Sequence, residues 1–243
     1  MQLIEDMNLK RGVITIIKRK VAVSFSGKDS TLALHDLLHS DEYEVVLLIA
    51  TVTEGLNRSS IHGVRVELLE AQARSIGLPL RKIWIPESCS NQRYQEIMTE
   101  VNLELKEQGI EDIAFGDLFL EDVRKYREEM LKPLKINAIF PLWGENTTTV
   151  LQRFLSLGYK TIITCVDLTR LTEGFSGKEI NDQFIDELPD EVDPCGENGE
   201  YHSFVFEGPI FNKPIQFHVG EKKLSADVYS GETRFCFTDL VLI

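Results

Sequence analysis

Val21-Ala22-Val23-Ser24-Phe25-Ser26-Gly27-Lys28-Asp29-Ser30 is the stretch on which the fold turns. Val21–Phe25 is a short β-rich run that ends in small polar residues. Leu32, Leu34, Leu37 and Leu38 then offer the buried face of a helix. A strand passing through a small-residue turn into a helix begins a β-α-β unit, and open parallel sheets bind ligands beyond the carboxyl ends of their strands. Backbone N–H groups in such a turn converge on an anion, and the helix adds its positive end. Lys28 supplies a point charge, while Ser26 and Ser30 donate hydroxyls to phosphate oxygens. Asp29 would repel a phosphate, so its presence makes sense if it holds a metal or caps the helix. The loop is not a Walker A motif, because Ala22 stands where the first glycine belongs and Asp29 follows the lysine. The plain alternative is a serine-capped helix with a chance lysine. The position between a strand and a helix argues against that alternative.

Outward from this loop, strand and helix alternate. Val45–Ala50 is a continuous apolar run suited to a strand covered on both faces. Gly63–Ile76 is a helix closed by Gly77 and Pro79, Arg81–Ile85 a strand, and Gln92–Gln108 a helix stopped by Gly109. Ile113–Gly116 is a strand, with the helix Phe119–Leu131 after it. Ala138–Pro141 and Thr161–Val166 predict two more strands, separated by a helix over Thr147–Leu157. Short β-α repeats predict an α/β fold, a doubly wound parallel sheet with right-handed crossovers. After Pro189 glycines multiply, and Phe204–Phe206, Ile215–Val219 and Phe235–Ile243 predict an antiparallel tail.

A net charge of −13 repels a nucleic-acid backbone, and the basic cluster Lys18-Arg19-Lys20 is a solvated strand entrance, so nucleic acid is not an expected partner. No apolar run is long enough to span a membrane, and the acidic Met1–Lys10 segment is not expected to be a secretory signal. Cys89, Cys165, Cys195 and Cys236 lie far apart with no C-x-x-C pair, which suits a reducing, cytoplasmic setting rather than a zinc ribbon or disulfide framework. A homo-oligomer stays open.

Three further clusters carry chemistry. In Ile61-His62-Gly63-Val64-Arg65, His62 and Arg65 would meet the nucleotide or the substrate at the rim after the second strand. Their plain alternatives are a helix cap at His62 and an ion pair of Arg65 with Glu70 or another carboxylate. In Phe115-Gly116-Asp117, Gly116 permits close backbone approach and Asp117 is placed to orient magnesium or a ribose hydroxyl, or to cap the next helix. In Asp193-Pro194-Cys195-Gly196-Glu197-Asn198-Gly199-Glu200-Tyr201-His202-Ser203-Phe204, tight turns crowd several carboxylates into one volume, which is costly without a cation or a donor-rich ligand. Zinc spacing is absent there. Two alternatives stay open, a cysteine nucleophile at Cys195 and a purely structural turn.

Ser26-Gly27-Lys28-Asp29-Ser30 after a strand resembles the PP-loop of the N-type ATP pyrophosphatases, a branch of the adenine nucleotide α-hydrolase superfamily. The usual Ser-Gly-Gly is replaced here by Phe25-Ser26-Gly27. Asp193–His202 followed by Gly208-Pro209-Ile210-Phe211, together with Ile61–Ala73, Phe115–Arg127 and Phe140–Gly144, resembles the diphthine–ammonia ligase family in the family's order.

The resemblance implies a HUP-like nucleotide-binding domain over residues 1–140 and a smaller α+β substrate domain over 141–243. It implies ATP and Mg²⁺ as cofactors, and ammonia plus a carboxylate (protein-borne diphthine or a small molecule) as partners. Ser24, Phe25, Ser26, Gly27, Lys28, Asp29 and Ser30 would hold the nucleotide with Ala50, Thr51, His62, Gly116 and Asp117. Asp29 or Asp117 would hold the metal. Asp193, Cys195, Gly196, Glu197, Asn198, Gly199 and Glu200 would meet the substrate. Lys28, Asp29, Glu197, Glu200 and His202 would carry catalysis: the ligase adenylates a carboxylate, releases pyrophosphate, and forms an amide as ammonia displaces AMP. The alternatives are a PP-loop enzyme acting on a small metabolite or tRNA, and a non-catalytic adenine-nucleotide sensor.

Overall fold

The computed structural model describes residues 17–226 and 231–243, so the reading of Met1–Lys10 lies outside the described residues. Its strands are β1 (Arg19–Ser24), β2 (Tyr43–Thr53), β3 (Arg58–Ser59), β4 (Leu80–Ile85), β5 (Asp112–Ala114), β6 (Asn137–Ile139), β7 (Lys160–Asp167), β8 (Tyr201–Glu207), β9 (Phe217–Ala226) and β10 (Thr233–Leu242). Between them lie the helices α1 (Lys28–Leu38), α2 (Val66–Ile76), α3 (Asn91–Glu107), α4 (Glu121–Leu131), α5 (Thr147–Ser156) and α6 (Asp182–Glu187).

β1 runs parallel to β2 on one side and to β5 on the other, with Val21 opposite Val45 and Asp112. β4 continues the parallel sheet beyond β2, and β6 beyond β5. The chain therefore winds from β1 through β2 to β4 on one side, then crosses to β5 and β6 on the other. The switch point falls between β1 and β5, where an open sheet leaves a crevice. Leu34 and Leu37 of α1 and Ala73 of α2 cover one face, packed on Val21, Val23 and Leu48. Met98, Val101 and Leu105 of α3 and Leu131 of α4 cover the opposite face, over Ala22, Ile49 and Ile113. This is a doubly wound α/β domain.

Thr161–Val166 does not join that sheet, contrary to the reading of the β-α alternation. It lies in β7, which pairs antiparallel with β8 and with β10 in a second sheet ordered β8-β7-β10-β9. Seven of its eight residues are buried. A strand covered on both faces carries the same continuous apolar run in either kind of sheet, so hydrophobic pattern alone does not assign its partners.

Helix α1 joins the two sheets. While Leu34 and Leu37 face the parallel sheet, Leu32 and Ala33 pack with Ile163, Tyr201 and Val205 of the antiparallel one. A second junction sets Ala50, Val52 and Leu68 against Ile162, Phe204 and Leu240. At the rim, Asp239 of β10 accepts a two-pronged ion pair from Arg65, at 3.0 and 2.6 Å, and a third contact from Arg58 at 2.8 Å. Arg65 is thus committed to the sheet junction. The ion pair expected of Arg65 is thus made with another carboxylate, while Glu70 pairs with Lys82 and Arg74.

Candidate functional site

The turn after β1 is built from its own side chains. Ser30 Oγ accepts from the Ser26 N–H at 2.9 Å and donates to the Gly27 carbonyl at 2.9 Å, and the Thr31 hydroxyl donates to the same carbonyl at 2.8 Å. Gly27 stands at the N-cap of α1, whose first backbone N–H groups have no intrahelical acceptor and carry the positive end of the helix. A Cβ on Gly27 would lie 2.8 Å from His62 Nε2, so only glycine lets the His62 ring close over the loop. Serine in place of the preceding glycine leaves this contact intact, because the steric demand falls on Gly27.

Lys28 connects this loop to the second sheet. It is almost fully buried. Its ammonium donates to the Asp29 carboxylate at 2.8 Å and to the Cys195 backbone carbonyl, and lies 5.1 Å from the centre of the Tyr201 ring. Burial alone would push this amine down. The Asp29 charge, with Tyr201 and Cys195, outweighs it and keeps Lys28 protonated. The Lys28 N–H reaches Ser203 Oγ at 3.4 Å.

Gly116 closes the other wall. A Cβ there would lie 2.6 Å from Ser30 N and 2.7 Å from the Asp29 carbonyl carbon. The close approach expected of Gly116 is therefore made to the start of α1. Asp117 does not cap the next helix, which begins at Glu121 after an N-cap at Leu120. Its carboxylate is gripped by Arg127, at 2.6 and 3.1 Å.

The Asp193–Ser203 segment divides into lining and scaffold. Cys195, Gly196, Glu197, Tyr201, His202 and Ser203 line a cleft with Ser24, Ser26–Ser30, His62 and Gly116–Asp117. Glu197 reaches from this segment to the Leu118 N–H at 2.7 Å. Burial raises its carboxyl to about 7, and the Asp29 and Asp117 charges add to the rise while the Leu118 N–H opposes it. His202 packs against His62 with the rings tilted and their centres 4.7 Å apart. Burial and then the Lys28 charge lower His202 to about 4, and burial, His202 and Lys28 likewise hold His62 well down. Both imidazoles are neutral at pH 7.

Asp193, Asn198, Gly199 and Glu200 do not line the cleft. Asp193 Oδ1 accepts from the Cys195 and Glu197 N–H groups at 2.9 and 3.1 Å. The buried Glu200 carboxylate accepts from the Asp193 N–H and the Asn198 amide, both at 3.1 Å. These residues shape the turn that aims Glu197. The Cys195 thiol is buried, donates to the Thr147 carbonyl at 3.2 Å, and is pushed up by burial despite the nearby Lys28 charge, surroundings that favour the thiol over the thiolate. Ala50 also leaves the site, because it points into the core between the sheets. Ile49 and Thr51, its neighbours on the other face of β2, reach the cleft instead.

That second lobe, continuous with the first through Ser24, Ser26, His62, Phe115 and Arg127, runs under the ends of β1, β2 and β4. It is lined by Ile49, Ile83, Met98, Ile113 and Phe115, with Tyr94 and Asn102 from α3. Sequence reading missed Tyr94, Asn102 and Arg127 as site residues. Each lies on a helix whose visible signal is packing periodicity, and nothing local marks which turn meets the cleft.

The carboxylates available to magnesium are those of Asp29 and Asp117, which line the cleft and are paired with Lys28 and Arg127. No group of three or more metal-binding side chains occurs among the described residues. Magnesium needs only one or two carboxylates when phosphates and waters complete its shell. Among the described residues, no helix is long and apolar enough to cross a membrane.

Two family models match the chain. Residues 19–137 match the diphthamide synthase N-terminal domain and residues 146–232 the diphthamide synthase C-terminal domain. Proteins named diphthine–ammonia ligase are similar. The one from Homo sapiens is 26% identical over 176 residues, covering 70% of this chain and 65% of its own length. The one from Bos taurus is 26% identical over 160 residues, covering 63% and 60%. The one from Schizosaccharomyces pombe is 28% identical over 110 residues, covering 44% of this chain and 18% of that protein. The chain thus spans less than two thirds of the length of these relatives. The phosphate-type loop, the segment that covers it and the two matched domains together place the chain in the diphthamide synthase family, to which the diphthine–ammonia ligases belong.

Proposed function

We propose that the chain is an ATP-dependent, AMP-forming ligase that joins ammonia to a carboxylate, with a carboxylate of the diphthine kind as its acceptor. The observation that carries this reading is Lys28. Its ammonium sits at the N-terminus of α1 and is held by the carbonyl of Cys195, so the phosphate loop and the Asp193–Ser203 segment form one site. Residues 1–140 supply the nucleotide half and residues 141–243 the acceptor half. The four cysteines are unpaired, which suits the cytoplasm.

In this reading the first turn of α1, with Ser26, Ser30 and Lys28, holds the β- and γ-phosphates as the leaving group. The acceptor carboxylate attacks the α-phosphorus, pyrophosphate leaves, and ammonia then displaces AMP from the acyl-adenylate. Asp29 and Asp117 would hold Mg²⁺, which supplies charge neutralisation at the phosphates. The loop's part is positioning and stabilisation of charge. Ammonia arrives as ammonium and must lose a proton before it attacks. Glu197, with a carboxyl near 7 at the mouth of the acceptor half, accepts it. The neutral His202 and His62 rings cap the loop without adding charge to the leaving group's surroundings.

Incubation with ATP, Mg²⁺, ammonia and a diphthine-bearing protein or peptide is expected to yield AMP and pyrophosphate in step with amide. ADP and phosphate as products would overturn α-phosphate cleavage. Glu197 adds a pH test. Its active form is the carboxylate, so activity is expected to rise through about pH 7, and Glu197→Gln to lose that limb. The stability sign is opposite. A carboxyl raised on folding binds its proton more tightly in the folded chain, so stability falls as pH climbs from about 4.5 to about 7. The melting temperature of Glu197→Gln is expected to change less than wild type across that window. Equal slopes would show that Glu197 is not held as described.

A further inference from the structure

We infer that Asn102 recognises the nucleobase of the bound nucleotide, reading the exocyclic amine of adenine and the ring nitrogen beside it. The inference rests on the ATP reading above.

Asn102 lies on α3 and is 1% exposed. Its Nδ2 and its Oδ1 are both buried with no hydrogen-bond partner among the described residues. Buried amides are nearly always satisfied, and an orphaned one is costly because it has lost water and gained nothing. Here the loss is double, a donor and an acceptor on one side chain. Asn102 lines the lobe of the cleft built from Ile49, Ile83, Met98 and Phe115. That lobe opens past Ser24 and Ser26 onto the phosphate loop. A cleft with Ile49, Ile83, Met98 and Phe115 in its walls and an unpartnered planar amide among them suits a heteroaromatic ring.

The chemistry of the amide narrows the ring. Asparagine presents an acceptor and a donor in one plane, which matches an amine beside an unprotonated ring nitrogen, the pattern adenine carries. The remaining polar contacts of the base need not be specified for this match. α3 also packs on the sheet through Met98, Val101 and Leu105, so Asn102 occupies a rigid position, as a recognition residue requires. The polar groups that share the lobe, Tyr94 and Arg127 among them, make no hydrogen bond to the amide.

The test is equilibrium binding without turnover. ATP and purine riboside triphosphate, which lacks the exocyclic amine, are each titrated with Mg²⁺ into wild type and Asn102→Leu. Leucine keeps the shape and removes both hydrogen-bonding groups. Wild type is expected to bind ATP roughly tenfold or more tighter than the analogue. Asn102→Leu is expected to lose that preference through weaker ATP binding, with its affinity for the analogue nearly unchanged. Asn102→Ala, which removes both groups without adding bulk, controls for folding, and the melting temperatures of both variants are measured. If the leucine variant does not fold, retention of the full ATP preference by the alanine variant overturns the inference. An equal loss for both nucleotides, or an unchanged ATP preference in Asn102→Leu, overturns the role of Asn102 and leaves the ATP reading standing. If wild type binds neither nucleotide, the ATP reading itself falls, and the inference with it.

Discussion

Lys28→Ala is expected to lower the rate of ATP-dependent AMP release by roughly 10²–10³ or more, as loss of a preorganised charge at a reacting phosphate does. The ammonium has no substitute among the groups around it. Asp29 and Glu197 are carboxylates, His62 and His202 are neutral, and Arg127, the other cation lining the cleft, is held by Asp117. With the lysine gone, Asp29 faces incoming phosphates uncompensated, so the variant both lacks an attraction and gains a repulsion. Lys28→Arg is not expected to restore the rate. A planar guanidinium does not fit a slot bounded by the Cys195 carbonyl and the Tyr201 ring. Product analysis of AMP and pyrophosphate measures this, with a melting curve alongside, since removing one member of a buried pair also costs stability. A rate within about threefold of wild type would remove Lys28 from the mechanism.

Gly116→Ala is the second large effect expected, and a purely steric one. The added methyl meets Ser30 N at 2.6 Å and the Asp29 carbonyl carbon at 2.7 Å. Both are backbone atoms of the first turn of α1, so no flexible side chain can yield. Either α1 moves or the end of β5 moves. Overpacking of this kind costs about 1–3 kcal/mol, or more where backbone must shift. Because α1 begins at the phosphate loop, the displacement is expected to weaken ATP binding at least tenfold as well as to lower the melting temperature. Gly199→Ala is the comparison. Nothing lies within 4 Å of its Cβ position and only its positive φ of 86° opposes a side chain, so a cost of about 1 kcal/mol without loss of ATP binding is expected. Undiminished ATP binding in Gly116→Ala would show that the loop does not depend on this contact.

The neutral state of His62 and His202 bears on both experiments. Each ring is held down first by burial and then by neighbouring charge, Lys28 included. Removing Lys28 takes away one of those causes and raises both imidazoles. A fall in activity of Lys28→Ala is therefore to be read at a pH well above the ordinary histidine range.

Sequence alone determined the α/β class, the strand–loop–helix that starts the sheet, and the segments that bear chemistry. These are local properties. A β-branched run, a small-residue turn and an apolar stripe at helical spacing follow from residue type within a few positions. The Asp193–His202 segment was legible for the same reason, because glycines and proline crowd its carboxylates whatever surrounds them.

Tertiary structure decided which of those residues meet. β7 reads as one more parallel strand, yet its partners β8 and β10 come from later in the chain. Glu197 and Glu200 are three residues apart and look alike in sequence. One reaches the cleft and the other turns inward to hold the Asp193 N–H. The same split divides Ala50 from Ile49 and Thr51, since adjacent strand residues face opposite sides of a sheet. Tyr94, Asn102 and Arg127 reach the cleft from helices that announce only their packing. Lys28, legible from its place in a loop, acquired its partner from a carbonyl 167 positions away. Such contacts are set by how α1 packs between two sheets, and no short-range pattern encodes that packing.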